Sequence, residues 1–291
     1  MAGELAQLDD RTILAQYGPM RLTIQAWGRA GVDTALAAEA GRFSFSLLPR
    51  LAPAKELFRR DAGDFGDLAP NYAEPLLNHM VLAVHKSGHK DLGPLAAVAG
   101  VVADAALDFL CAAGAVKAIV ENGGDVAIHL DPGQEASVGV RLGLQKPEPA
   151  CKIVLSGDRR ARWGVCSSGL GGRGLTRGVA DTALCVAETC AVADAMATAL
   201  GNEVWVDSPV IKRVAAEVLR PDTDIRGLLV TESAAELSRE EIGSALSRGL
   251  AYAQGLVDRG ALLGGLVSLR GQILTTANFE RQVAALEPLG S

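Results

Sequence analysis

The chain has 291 residues, 49% of them hydrophobic and 21% charged, with aromatics at only 4%; this composition supports an ample aliphatic core and excludes a disordered chain. A formal net charge of −6, with no run of Lys and Arg interleaved with aromatics, argues against a nucleic-acid partner and favours a small-molecule ligand.

The opening MAGELAQLDDR is polar and acidic, without a basic segment followed by an apolar one, so the cytoplasm is the expected location. Two β-like runs, TILAQY and MRLTIQAW, flank Gly18-Pro19 and predict a hairpin. A helix rich in Ala and Glu is expected within Gly31 to Leu51, a surface loop over Asp61 to Tyr72, and a strand over His79 to His85. Gly93-Pro94 opens the most apolar stretch, through Gly114. Its length raises a membrane reading, but Asp104 and Asp108 on one helical face and its many Ala and Gly residues favour a buried helix with no membrane partner. Val116 to Val120 and Asp125 to Leu130 read as strands joined by a polar, glycine-bearing turn. Further strands are expected at Ser137 to Leu144, Lys152 to Ser156, Val204 to Val206 and Gly227 to Thr231, with a turn at Asp222 to Asp224. Ser238 and Glu241 have capping-box spacing at the start of the last long helix, and Leu262 to Leu269 with Gln272 to Thr275 predict a closing hairpin around Arg270-Gly271. Hairpins separated by a few long helices imply an α+β fold, with antiparallel or mixed sheets packed against helices. One intertwined domain over residues 1–291 is expected, with any subdomain boundary near 90–115.

Three segments carry candidate chemistry. Asp194 and Thr198 lie four apart in a run of helix formers, so a carboxylate and a hydroxyl share one face, as two hard oxygen donors for Mg²⁺ would. The same residues also fit an Asp that favours the helix dipole and a Thr that bonds back to a carbonyl. Ser167 and Ser168 precede Gly169, Gly171 and Gly172 around Arg173, where backbone N–H groups, hydroxyls and a guanidinium could cradle phosphate; a plain flexible turn has the same composition. Glu121, Asn122, Gly123, Gly124 and Asp125 form a turn whose two acidic residues exceed what turn geometry needs, meeting either ligand or solvent. His79, His85, His89 and His129 form no metal set, and His85 and His89 alternate with lysines in what reads as a solvated loop. The five cysteines show no zinc-ligand spacing and read as small buried hydrophobes, Cys166 included.

Taken in order, GPLAAVAG at Gly93, VENGGDVAI at Val120, CSSGLGGRGLTRGVAD at Cys166 and ADAMATALGN at Ala193 resemble the UPF0280 family, which is related to ApbE, the FAD-dependent flavin transferases. The resemblance implies a T-fold-like α+β architecture. It also implies Asp194 and Thr198 as magnesium ligands beside an FAD pyrophosphate, Ser168-Gly169 as the Ser-Gly turn, and Gly123-Gly124-Asp125 along the flavin. The transferases' segment ending in His-x-x-Asp-Pro-x-Thr-Gly is replaced by the short Gly172-Arg173-Gly174-Leu175-Thr176-Arg177-Gly178, and Arg173 stands where UPF0280-like relatives usually carry His. The expected ligand is therefore FAD or another phosphorylated compound with Mg²⁺, transferred or cleaved at its pyrophosphate. Its partners would be that small molecule, an acceptor protein and, as an open possibility, a second copy of the chain. Two alternatives stay open: a binding or assembly module without chemistry, and a role in pterin-linked one-carbon metabolism suggested by the company the family keeps.

Overall fold

The computed structural model describes residues 3–55, 57–59, 68–69, 71–143, 148–277, 279–282 and 285–288. The N-terminal half runs through β1 (Glu4–Gln7), β2 (Ile13–Tyr17), β3 (Met20–Gly28), β4 (Gly31–Val32), α1 (Thr34–Ser44), α2 (Leu47–Leu51), α3 (Pro75–Ser87), α4 (Val98–Ala112), β5 (Lys117–Asn122), β6 (Asp125–Leu130) and β7 (Glu135–Val140). The remainder is β8 (Cys151–Ser156), β9 (Arg162–Ser168), β10 (Thr182–Ala187), α5 (Cys190–Glu203), β11 (Ile211–Ala215), α6 (Ala216–Leu219), β12 (Leu229–Ala234), α7 (Arg239–Asp258), β13 (Gly264–Leu269), β14 (Gln272–Thr275), α8 (Phe279–Gln282) and β15 (Ala285–Pro288).

The main sheet has the order β1-β2-β3-β5-β6-β9-β10-β13-β14, with β4 on β3; β15-β8-β7 and β11-β12 form two smaller sheets. All the strand pairs described are antiparallel, so the architecture is α+β, as expected. Strand alternation gives the main sheet two apolar faces. Leu22, Ile24, Ala118, Val120, Ala127, Cys166, Ala183 and Cys185 face a large core shared with α1, α3, α4, α5 and α7. Val126, Ile128, Trp163, Val165, Leu184 and Val186 face a second core, closed by Ala136, Val140, Ile153 and Leu155 of β7 and β8. The result is three layers: helices, main sheet and small sheet.

The expected hairpins form where predicted, with Tyr17 opposite Met20, Asn122 opposite Asp125, and Leu269 opposite Gln272. Gly123 and Gly124 both take positive φ, 71° and 111°, as a two-residue turn matched to strand twist requires. The capping box forms in full: the Glu241 N–H donates to Ser238 Oγ at 3.2 Å and the Ser238 N–H to Glu241 Oε2 at 2.7 Å. Two expectations fail. His79 to His85 is helical, lying inside α3, because Leu76, Leu77, Met80, Val81, Ala83, Val84 and Ser87 bury one face at helical spacing. A seven-residue window is too short to show that period. Val204 to Val206 forms no strand; the Val204 N–H closes the end of α5 on the Leu200 carbonyl while its own carbonyl accepts from Val179. The strand expected over Ser137 to Leu144 runs instead from Glu135 to Val140; Leu144 and most of the expected loop over 61–72 lie outside the described residues.

Residues Pro94–Ala112 are long and apolar enough to span a bilayer by length and composition, yet α4 packs on β5, β6 and α5. The helices α4 and α5 meet at Gly100, where an added Cβ would run into the Cys190 carbonyl oxygen and come within 2.7 Å of Ala191 Cα. Those are backbone atoms, so the clash cannot be relieved by a side-chain rotation. Gly100→Ala is expected to lower the unfolding free energy by about 1–3 kcal/mol through overpacking. By contrast Gly243→Ala, in open space on α7, should raise it by up to about 1 kcal/mol. Paired urea melts of the two variants would show this opposite sign.

Candidate functional site

Helix α5 is almost wholly enclosed. Of residues 190–201, only Asp194 and Thr198 reach solvent, and they stand one turn apart on one face, as their spacing requires. Alanine, Met and Gly fill the other positions, which lets α5 lie close against β9, β10 and α4.

Two carboxylates fix its placement. Asp104 of α4 accepts from the Cys190 N–H at 3.1 Å and the Ala191 N–H at 2.9 Å, while Thr189 Oγ1 takes the Val192 N–H at 3.4 Å. The first-turn donors of α5 are thus satisfied largely by a neighbouring helix. In return Asp194 Oδ2 accepts from the Gly100 N–H at 2.9 Å, and its carboxyl also takes the Ala99 N–H, serving the first turn of α4, where Ala97 at the cap has no side-chain acceptor. Arg162 of β9 completes the arrangement with ion pairs to Asp104, at 3.2 Å, and to Asp108.

Asp125, at the first position of β6, projects from the main sheet to the helix side, where its charge acts on Asp194. Burial drives the Asp125 carboxyl up to about 6, against the opposing pull of the Cys166 thiol and the Arg173 guanidinium. Burial also pushes Asp194 well above the usual carboxylate range, reinforced by Asp125 and opposed by the Gly100 and Ala99 N–H groups. Two enclosed carboxylates that repel one another are stabilised by proton uptake or by a cation. The Cys166 and Cys190 thiols lie 3.4 Å apart beneath them, fully buried and pushed up by burial, as packed thiols.

Around this pair the structure gathers most of the residues picked out in the sequence. Asn122 Nδ2 donates to the Ala99 carbonyl at 3.2 Å, tying the β5–β6 turn to α4. Ser168 projects towards α5, its Oγ 3.5 Å from where a Cβ on Gly201 would stand. The Arg173 guanidinium lies against Gly123, so the exposed glycine loop reaches back over the β5–β6 turn towards Asp125. Gly169 and Gly172 close a turn on themselves, the Gly172 N–H donating to the Gly169 carbonyl at 3.2 Å; that donor is spent and does not face outward as an anion cradle would need. Gly171 takes φ of 86° within that turn. Glu121 and Ser167 part from the rest. They project from the opposite face of the main sheet, because each is one residue out of phase with Asn122 and Cys166.

Sequence reasoning missed Asp104, Gly100 and the anchors of the loop's far end. There Arg177 pairs with Asp91, the Arg177 N–H donates to Asn202 Oδ1 at 2.9 Å, and Gly178 packs on the end of α5. His89 also departs from the expected solvated loop: it lies edge-on to Tyr252 at 5.2 Å, with Asp91 and Glu203 near its nitrogens. The signal for Asp104 was the acidic pair that it forms with Asp108 inside an apolar helix. Among the described residues no three His, Cys, Asp or Glu side chains group to hold a metal. The oxygen donors present, two carboxylates and a hydroxyl, nonetheless suit Mg²⁺, which keeps water or phosphate oxygens in its remaining positions.

The fold is of the ApbE type. A family model described as "AbpE bacteria" matches residues 5–275, and the chain belongs to that family. It is similar to UPF0280 proteins of Methanosarcina acetivorans, 36% identical over 56% of this chain and 62% of the relative, and of Methanothrix thermoacetophila, 40% identical over 49% and 57%. The matched stretch thus spans about three fifths of those relatives' length. Among solved structures, it is similar to the ApbE protein of Thermotoga maritima, with a TM-score of 0.50 and 14% identity, covering 97% of this chain and 100% of that one. A mutant of the flavin transferase ApbE from Vibrio cholerae gives a TM-score of 0.52 and 10% identity over 94% and 99%.

The carboxylate pair generates a sign prediction. A carboxyl whose folded-state pKa is raised binds more protons folded than unfolded, so its contribution to stability is best at low pH and falls as pH rises. Asp194→Asn keeps the acceptor for Gly100 and removes the charge. Without divalent cations, it should match the parent at about pH 4 and exceed it by about 1–2 kcal/mol at pH 8. Thermal melts in chelator across that range would check it; a variant less stable at pH 8 would mean that the two N–H bonds outweigh burial and repulsion.

Proposed function

We propose that this protein binds a flavin nucleotide such as FAD together with Mg²⁺ on the helix side of the main sheet, and acts at the pyrophosphate as a flavin transferase. The observation that carries this reading is Asp194 and Thr198, one turn apart and partly exposed in an otherwise enclosed stretch of α5, with Asp125 close enough for the two carboxylates to repel. Such a pair costs stability unless a proton or a cation meets it, and Mg²⁺ is a cation that its oxygen donors suit. The similarity to proteins named flavin transferases supports the choice of nucleotide.

In this reading Asp194, Thr198 and Asp125 hold the metal, which when bound neutralises charge on the phosphate oxygens. The chain's own groups do the rest. Arg173, whose guanidinium lies against Gly123 and whose charge reaches Asp125, would turn to a phosphate oxygen when the ligand binds. The Gly123-Gly124 turn admits the ligand backbone closely because neither position carries a side chain. The Arg177–Asp91 pair and Asn202 hold the loop's far end on α5, so that Arg173 moves on a short tether. The reaction is attack of a hydroxyl, from an acceptor side chain or from water, on the flavin-side phosphorus, with AMP departing.

Thermal shift tests the binding. FAD at a hundredfold excess over its dissociation constant should add about 2.7 kcal/mol of stability, and only with Mg²⁺ present. Thr198→Val should remove the Mg²⁺ dependence while leaving ligand-free melting nearly unchanged, and Arg173→Ala should weaken FAD about tenfold. Mass spectrometry for released AMP or a flavinylated protein reads the chemistry. Equal FAD stabilisation with and without Mg²⁺, or none at all, would sink the reading.

A further inference from the structure

The face of α5 that carries Asp194 and Thr198 continues, one turn further on, to Asn202, whose Oδ1 takes the Arg177 N–H. The β11–β12 ribbon stands behind the loop at that end. Thr231 of β12 fastens the ribbon there, its N–H donating to the Thr176 carbonyl at 2.9 Å and its Oγ1 to the Arg177 carbonyl at 3.2 Å. Arg213 of β11 is the cross-strand partner of Thr231, so it stands beside the same loop. Its guanidinium carbon lies 4.5 Å from the ring centroid of Trp205, the second residue past α5.

Arg213 is fixed in place without being neutralised. Its Nη2 donates to the Leu229 carbonyl at 2.7 Å, while its Nε is buried with no acceptor. The neighbouring cations are engaged, Lys212 with Glu232 at 2.6 Å and Arg177 with Asp91. Arg213 itself makes no ion pair among the described residues, and burial and the Arg177 charge both push its pKa down. An indole ring beneath it and a carbonyl at its edge hold the guanidinium as a flat plate that is still partly exposed. Guanidinium planes of this kind take nucleic-acid bases by stacking, and an unpaired positive charge favours a base that arrives with phosphates.

The spacing agrees. Trp205 lies seven residues beyond Thr198, about 10 Å at the rise of a helix, within reach of a nucleoside whose phosphates sit at Asp194 and Thr198. The Gly123-Gly124 turn, tied through Asn122 to the start of α4, lies at the Asp194 end of the same face and leaves the Arg213 end to the other half of the ligand.

We infer that Arg213, backed by Trp205, is the platform on which the nucleoside base of the ligand stacks, so that the protein prefers a nucleoside diphosphate to a diphosphate without a base. This rests on the reading of Asp194 and Thr198 as the Mg²⁺ and phosphate site, and adds the residue that selects the nucleoside half.

Titration calorimetry with Mg²⁺ present compares ADP with ribose 5-diphosphate, which has the same sugar and phosphates but no base. ADP should bind the parent about tenfold more tightly, the scale of one base stacked on a planar side chain. Arg213→Lys keeps the charge and loses the plate, so it should bring ADP to within about twofold of ribose 5-diphosphate, whose own affinity stays as in the parent and reports an intact site. Trp205→Leu, which removes the backing of the plate, should lower the ADP preference in the same way. Ribose 5-diphosphate that binds the parent as tightly as ADP, or an ADP preference undiminished in Arg213→Lys, overturns the inference and leaves the Mg²⁺ site standing. Failure of both compounds to bind with Mg²⁺ overturns it together with the reading of that site.

Discussion

The structure depends on an exchange of carboxylates between two helices that touch at a glycine. Asp104 of α4 satisfies the first N–H groups of α5, and Asp194 of α5 satisfies those of α4. Each helix end would otherwise bury unpaired donors, which is costly in an interior with no water to replace them. The exchange works only at the separation Gly100 permits, because any side chain there would meet the α5 backbone. One constraint therefore places Asp194 to within a hydrogen bond's length of a fixed atom.

That placement has an energetic consequence. Asp194 is a structural cap with one oxygen and a repelled neighbour of Asp125 with its charge as a whole. The N–H groups and the helix dipole favour the carboxylate; burial and Asp125 oppose it, and burial wins. The capping and ligand-binding readings of this residue are thus two halves of one arrangement. A residue rigid enough to cap a helix is well placed to hold a ligand, since little further order is lost when one arrives.

The main sheet divides the chemistry. Asn122, Asp125 and Ser168 project to the helix layer, whereas Glu121 and Ser167, their immediate neighbours in sequence, project to the small sheet. Alternation of side chains along a strand makes this unavoidable. A polar turn that reads as one patch in sequence thus serves two surfaces, and the strand ends between them are the only part common to both.

Much of the architecture was legible in the sequence because it rests on local rules. Turn dipeptides marked the β2–β3 and β13–β14 hairpins, the Ser238/Glu241 spacing marked the start of α7, and four-residue spacing put Asp194 and Thr198 on one face. What local rules could not supply was anything set by a partner distant in the chain. The α3 segment shows its helical period only over its full length against α5; Asp104 looks like an interruption in an apolar helix until the end of α5 is seen to rest on it. Arg173 looked like a departure within a glycine loop until the fold laid it over Gly123, beside Asp125. By itself the sequence determined which residues could form strands, turns and a helical pair of oxygen donors, since those follow from covalent geometry and side-chain shape. Only the tertiary structure decided which carboxylates lie close enough to repel each other and on which side of the sheet each polar residue falls, because burial and charge repulsion exist only once distant segments are packed together.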